Sequence, residues 1–251
     1  MALIVDYPLI SSLSGVNTVQ AMGSVVSGDS IPSGIAGALY FENGCLVATV
    51  RDSDPETALG LRSEITAPAD PVGERWYCFD FMIPESWDVT KPMSIMQIHD
   101  TPDGGDGGKW PNFAVTVENG QIVCSVPNGA LPTEVGTGFK NGGIRLQNGK
   151  WYSGCLHVNW QTTAIGFREF FIDRVPLFRQ FNVATHYVDA VGPYLKIGVY
   201  DFYHLGGFGT QSARFRNVKV WSGNDGYQTV MGGPPLPKPQ IQIFKSLLHN
   251  D

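Results

Sequence analysis

The sequence predicts an all-β fold, a β-jelly roll sandwich of two antiparallel sheets with a concave substrate cleft. Three observations carry that reading. Short apolar and aromatic runs recur along most of the chain and alternate with polar residues. Two of the boundaries between them are the hairpin signals Glu42-Asn43-Gly44 and Glu118-Asn119-Gly120. With 30 Gly and 17 Pro among 251 residues and only 16% charged side chains, the chain is punctuated for turns rather than for helices.

The elements follow in order. Residues 1–30 are small and Gly/Ser-rich and read as a first strand followed by loops. Strands are expected at 38–41 and 45–51 around the first hairpin signal, then at 61–66. Residues 75–83 (RWYCFDFMI) are aromatic and β-rich, and Pro84 stops them. Further strands are expected at 94–99, 112–117, 121–126, 143–146, 151–160, 166–172, 194–202 and 213–221. The whole chain reads as one domain over 1–251, with its core at about 38–222 and a proline-rich tail at 223–251. That tail ends in a short helix or docking strand at 241–248. A dozen short strands without a fixed repeat favour a sandwich of jelly-roll type over a closed barrel.

Composition excludes several classes. Hydrophobic residues make up 43% of the chain, enough for a sizeable core. The formal net charge is −6 and no Lys/Arg stripe is visible, so no nucleic-acid footprint is present. An acidic chain still binds an acidic polymer if its few cations gather in one cleft. No apolar run is long enough for a helical membrane span, and the N-terminus lacks the pattern of a secretory signal. An extracellular or phage-associated setting without an evident signal is therefore expected. Cys45, Cys78, Cys124 and Cys155 have no zinc-ligand spacing. They read as buried thiols in preference to one or two disulfides.

Three strands carry the candidate chemistry. Residues at i and i+2 share a strand face. In Leu61-Arg62-Ser63-Glu64-Ile65, Arg62 and Glu64 share one. Gln97 and His99 do so in Ile95-Met96-Gln97-Ile98-His99. In Tyr194-Leu195-Lys196-Ile197-Gly198-Val199-Tyr200, Tyr194, Lys196 and Tyr200 do so, and Leu195, Ile197 and Val199 turn to the core. The polar faces hold Arg, Lys, Gln, His and Tyr but one carboxylate, a set suited to an anionic substrate. Removing the proton beside a uronate carboxylate requires that carboxylate to be neutralised, a task for Arg62 and Gln97. His99 and Tyr200 are the candidate base and acid, with a phenol beside cations expected to be tuned downward. A glycoside hydrolase would instead want two facing carboxylates.

The segments LRSEI, MQIHD and YLKIGVYDF resemble, in the same order, the R-x-E, Q-[IVW]-H and Y-x-K-x-G-[IV]-Y motifs of jelly-roll polysaccharide lyases, the alginate-lyase-like and glucuronan-lyase-like superfamily. RWYCFDFMIPESW, KWPNFAVTVENGQIVCSV and GKWYSGCLHVNWQTTAIGFREFFIDRVPL are similar to strands and hairpins of that group, so the resemblance covers about 38–222. It implies β-elimination on a uronic-acid-containing polysaccharide. It implies that Arg62 and Gln97 meet the carboxylate, that His99 helps neutralise it or acts as base, and that Tyr200 is the acid and could also be the base. Lys196 would bind a neighbouring sugar and Glu64 would hold Arg62 in place. His99 is the first His of the chain, which leans toward the alginate-lyase arrangement. Asp201 stands where that group often has Gln or Asn.

Other features complete the reading. Trp110 and Tyr194 are candidates for a sugar-stacking platform, and His204 lies close enough to Tyr200 to reach a cleft. His157, His186 and His249 show no ligand spacing. No cofactor is required. The loop from Asp100 to Gly108 could bind Ca²⁺ through its three Asp but reads first as a loop over the cleft. The alternatives to a lyase are a non-catalytic carbohydrate-binding module and a virion-associated structural jelly-roll domain.

Overall fold

A computed structural model describes residues 1–69, 73–101, 110–127, 139–188, 191–223 and 226–233. Among them are sixteen strands. They are β1 (Ala2–Tyr7), β2 (Thr18–Ala21), β3 (Ser24–Ser27), β4 (Leu39–Glu42), β5 (Cys45–Arg51), β6 (Arg62–Thr66), β7 (Gly73–Met82) and β8 (Met93–His99). The second half holds β9 (Phe113–Glu118), β10 (Gln121–Val126), β11 (Phe139–Arg145), β12 (Trp151–Trp160), β13 (Gly166–Ile172), β14 (Val175–Val183), β15 (Tyr194–Tyr200) and β16 (Thr210–Ser222). The back sheet runs β14-β13-β12-β7-β16-β5-β4, with β1 also paired to β16; the front sheet runs β11-β10-β9-β8-β15-β6-β2-β3. Every strand pair is antiparallel. This is the expected all-β sandwich.

Strand alternation builds the core. Tyr77, Phe79 and Phe81 of β7, Leu156, Val158 and Trp160 of β12, and Phe170 and Ile172 of β13 point inward from the back sheet. Ile65, Ile98, Val115, Val117, Leu195, Ile197 and Val199 meet them from the front. The Trp160 indole N–H donates to the Tyr77 hydroxyl at 2.9 Å, so both aromatic polar tips are satisfied inside the sandwich. A register shift in β8 between Ser94 and Met96 lets Ile95 and Met96 both join the core and re-aims the strand so that Gln97 and His99 face outward. The two hairpin signals are realised with left-handed Asn43-Gly44 and Asn119-Gly120 (φ +49°, +71°, +50° and +72°).

The sequence expectation missed three strands. β2 and β3 are only four residues each; β2 is paired on both sides, to β6 and β3, and β3 ends the front sheet, so each is too short for its alternation to stand out. β14 carries Pro176 and lies at the margin of the back sheet, the place where a strand tolerates a residue without an N–H. Residues 234–251, with the expected terminal helix or strand, lie outside the described residues.

The cysteine expectation is half corrected. Cys45 and Cys124 are buried free thiols, but Cys78 and Cys155 form a disulfide. They are directly opposed in the β7–β12 register with Cα atoms 4.1 Å apart. That opposition is set by strand pairing across 77 residues and leaves no mark in local sequence.

On the outer face of the back sheet, His157 is held between Glu74 (2.7 Å) and Glu169 (3.0 Å) and stacks on Trp76 at 3.7 Å. Arg179 pairs with Glu169 at 2.6 Å, and the Tyr227 hydroxyl, from a single π-helical turn at Tyr227–Met231, donates to the same carboxylate. Burial pushes the Glu169 pKa up, but the hydrogen bonds from His157, Tyr227 and Arg179 outweigh it and hold it below its ordinary value. A folded-state value below the unfolded one, about 4.3 for Glu, stabilises the fold above that pH and loses the contribution as pH falls. Glu169→Gln is therefore expected to cost about 3–5 kcal/mol in urea unfolding at pH 7, the scale for stripping one partner from a buried ion pair. The difference from the unaltered protein should shrink below about pH 4.

Candidate active site

The front sheet's outward face bears a cleft of about 310 Å³ lined by Arg62, Gln97, His99, Trp110, Pro111, Tyr200, Phe202 and His204. Three adjacent strands supply its floor. β15 lies between β8 and β6, which sets Tyr194 opposite His99, Lys196 opposite Gln97, Gly198 opposite Glu64 and Tyr200 opposite Arg62. The faces assigned from period two are the faces observed.

Glu64 is the hub of the floor. It accepts from Gln97 Nε2 at 2.6 Å and from Arg62 Nη1 at 3.3 Å. The Gln97 bond spans two strand spacings, and the intervening Gly198 has no side chain to block it. Gln97 keeps a second amide hydrogen and Arg62 further N–H groups for a ligand. Lys196, only 4% exposed, donates to Gln20 Oε1 at 3.4 Å and sits 5.5 Å from the Tyr194 ring centre. Burial pushes its ammonium pKa down and Glu64 partly restores it. The floor thus holds two cations, Arg62 and Lys196, against one carboxylate, Glu64. Gln20 comes from β2, a strand the sequence expectation read as loop.

Arg62 lies over the Tyr200 ring, 3.9 Å from its centre. Two backbone carbonyls of the preceding loop complete the arrangement. Arg62 Nη2 donates to Ala58 O at 2.9 Å, and the Tyr200 hydroxyl reaches Leu59 O at 3.5 Å. Ala58 and Leu59 both have left-handed backbones (φ +46° and +65°), a strained conformation for side-chain-bearing residues. The strain aims two successive carbonyls at the two functional groups.

The Tyr200 phenol corrects one expectation. Burial raises its pKa, Arg62 opposes that, and Glu64 and Asp201 add to the rise, so the net shift is upward rather than downward. A buried phenol shared between one cation and two carboxylates keeps its proton. Tyr194 is likewise pushed up to about 12, mainly by burial and then by Glu64. Tyr194 sits beside His99, with ring centres 6.0 Å apart, and is not among the residues lining the cleft.

His99 Nδ1 is 2.9 Å from the Asp100 carbonyl oxygen. A carbonyl only accepts, so Nδ1 donates, and in the neutral ring Nε2 is the basic nitrogen. The cleft wall is aromatic. Trp110 packs against Phe202 with ring centres 5.0 Å apart, and Phe202 packs on Tyr200 at 5.8 Å. Trp110 therefore joins the wall with Phe202, not with the expected partner Tyr194. The strand expected over 194–202 ends at Tyr200, and Phe202 lies in the turn that follows, its N–H donating to the Tyr200 carbonyl, so strand alternation could not place it. His204 lies across from Tyr200 with ring centres 6.1 Å apart. Its loop is built by Asp201, whose carboxylate accepts from the N–H groups of Leu205 and Gly206, each at 3.1 Å. An Asp at that position thus serves the loop.

The loop proposed for Ca²⁺ or for covering the cleft has residues 102–109 outside the described residues. Among the described residues no group of three or more His, Cys, Asp or Glu side chains is arranged to hold a metal ion. No helix among the described residues is long and apolar enough to cross a membrane.

A family model described as polysaccharide lyase matches residues 20–218. No curated protein matches the chain in sequence. Among solved structures, an endo-β-1,4-glucuronan lyase from the fungus Trichoderma reesei superposes with a TM-score of 0.65 at 18% identity, covering 88% of this chain and 96% of that one. Alginate lyase A1-II′, of polysaccharide lyase family 7, gives 0.66 at 16% identity over 84% and 96%. An alginate lyase from Pseudomonas aeruginosa gives 0.61 at 15% identity over 83% and 99%.

Proposed function

The chain belongs to the polysaccharide lyase family, and we propose that it cleaves a uronic-acid-containing polysaccharide by β-elimination in the Arg62–Gln97–His99–Tyr200 cleft. The observation that carries this reading is the charge of the cleft. None of the described residues lining it is a carboxylate, and Glu64 beneath it is engaged by Arg62 and Gln97. A hydrolase needs two carboxylates flanking the bond. An elimination needs cations and amides for the substrate carboxylate, a base and an acid. The polymers named for the structural relatives, glucuronan and alginate, are both polyuronates.

In this mechanism Arg62 and Gln97 bind the uronate carboxylate and stabilise the charge that develops on it as C5 loses its proton. His99 Nε2 takes that proton. The electron pair forms the C4=C5 double bond, the C4–O bond breaks, and Tyr200 protonates the departing glycosidic oxygen. The raised Tyr200 pKa supports the acid role, because the phenol is protonated throughout the neutral range. Lys196 beside Gln97 and Tyr194 beside His99 lie next to the residues that line the cleft and are assigned to a neighbouring sugar, with Trp110 and Phe202 as an apolar wall. His204 contributes at the cleft mouth. No step calls on a metal. An extracellular or phage-associated setting is our reading, supported by a substrate that is a large polymer.

The test is ultraviolet absorbance of the unsaturated uronate product during incubation with alginate, glucuronan, hyaluronan and bacterial capsules. Absorbance growing with time on at least one polyuronate is expected. Silence on every polyuronate, with binding retained, would favour a carbohydrate-binding module instead.

A further inference from the structure

His99 is held by a backbone carbonyl, so whatever holds that carbonyl governs the histidine. Asp100, which supplies it, is 1% exposed, and its Oδ1 accepts from Asn112 Nδ2 at 2.7 Å. Asn112 is fully buried, at 0% exposure, immediately before β9. Asp100 immediately follows β8, and the two strands are paired there through Ile98 and Phe113. The Asn112–Asp100 bond therefore clasps the ends of β8 and β9 just beyond their last paired residues. A bond from a neutral amide to a buried carboxylate is charge-assisted and short, and it restricts the Asp100 peptide more than an exposed contact could. Asn112 also directly follows Trp110 and Pro111, which line the cleft, so one residue links the aromatic wall to the histidine.

We propose that Asn112, acting through Asp100, is the positioning residue that fixes neutral His99 as the Nδ1–H tautomer and so makes Nε2 the nitrogen that exchanges a proton with substrate. The inference rests on the lyase reading for its catalytic meaning, but the tautomer is a property of the free protein. Without the clasp the Asp100 carbonyl swings, the Nδ1–H bond is lost for part of the time, and the Nε2–H tautomer, which offers no basic Nε2, becomes populated.

The direct test is nitrogen NMR of protein labelled with ¹⁵N-histidine, with His99 assigned by its loss in His99→Gln. In the unaltered protein at a pH where His99 is neutral, Nδ1 should carry the hydrogen. Asn112→Ala and Asp100→Ala should shift His99 toward a tautomer mixture. Asp100→Asn, which retains an Oδ1 acceptor and the carbonyl, should preserve the original tautomer. On a cleaved polyuronate, kcat should fall about tenfold in the two alanine variants with KM within about twofold, a share of what a positioned base contributes, and recover in Asp100→Asn. An Nε2–H tautomer in the unaltered protein overturns the proposal whether or not the variants fold. An unchanged tautomer in a folded Asn112→Ala overturns it as well. Because the spectra need no substrate, failure to find a cleaved polymer would count against the lyase reading alone.

Discussion

Tyr200→Phe is expected to lower kcat on a cleaved polyuronate by about 10²–10⁴-fold, the range that a positioned proton donor contributes, while substrate binding is retained. The phenylalanine ring keeps the face on which the Arg62 guanidinium rests, 3.9 Å from the ring centre. The hydroxyl it removes makes a long 3.5 Å contact to Leu59 O and interacts with Arg62, whose guanidinium keeps its bonds to Glu64 and Ala58 O, so the thermal midpoint should move little. Titration calorimetry with an oligouronate that the variant does not cleave would measure the retained affinity. Activity in Tyr200→Phe within tenfold of the unaltered enzyme would end the assignment of Tyr200 as the acid. The pH profile carries the same logic. The phenol's pKa is raised by burial, so its proton is lost only above the ordinary tyrosine value of about 10. The alkaline fall in kcat/KM attributable to Tyr200 should lie above that pH.

Gly198→Ala is expected to destabilise the protein by about 2–6 kcal/mol, from overpacking together with a strained backbone, and to abolish the cleft. Gly198 has φ +157°, and a methyl group there would run into the Ser63 carbonyl and lie 2.6 Å from the Glu64 Cα. These are backbone atoms of β6 and cannot swing aside as a flexible side chain would. Relief requires β15 and β6 to part, at the rungs that pair Tyr200 with Arg62 and Gly198 with Glu64. Chemical denaturation would show the lost stability. Amide hydrogen exchange would show whether the loss is centred on 62–66 and 194–200, as expected, or spread over both sheets, which would contradict a local seam. Because Glu64 reaches Gln97 across this glycine, the variant should lose activity even where it remains folded.

The family motifs, the sandwich class and the strand faces were legible because they rest on local pattern. A strand's two faces alternate every residue, so Arg62 with Glu64, Gln97 with His99, and Lys196 with Tyr200 fall on common faces wherever the strands end up. The hairpin dipeptides at Asn43-Gly44 and Asn119-Gly120 are equally local, since only a few residue types adopt their left-handed backbone readily.

What the tertiary structure alone decided depends on register and burial, which join residues far apart in the chain. Gln20 reaches Lys196 because β2 pairs beside β6, and Thr18–Ala21 is too short for its alternation to announce a strand. Cys78 meets Cys155 because β7 and β12 are paired in one register and not another. The direction of the Tyr200 shift reversed for a similar reason. Sequence shows the cations near a phenol but not how deeply it is buried, and here burial outweighs Arg62. The amino-acid sequence by itself determined which side chains share the face of the candidate site and the chemistry open to them. The packed sheets determined which of them touch, which are held by Asp100, Ala58 and Leu59 carbonyls, and in which protonation state the phenol waits, because contact and desolvation exist only once the strands are paired.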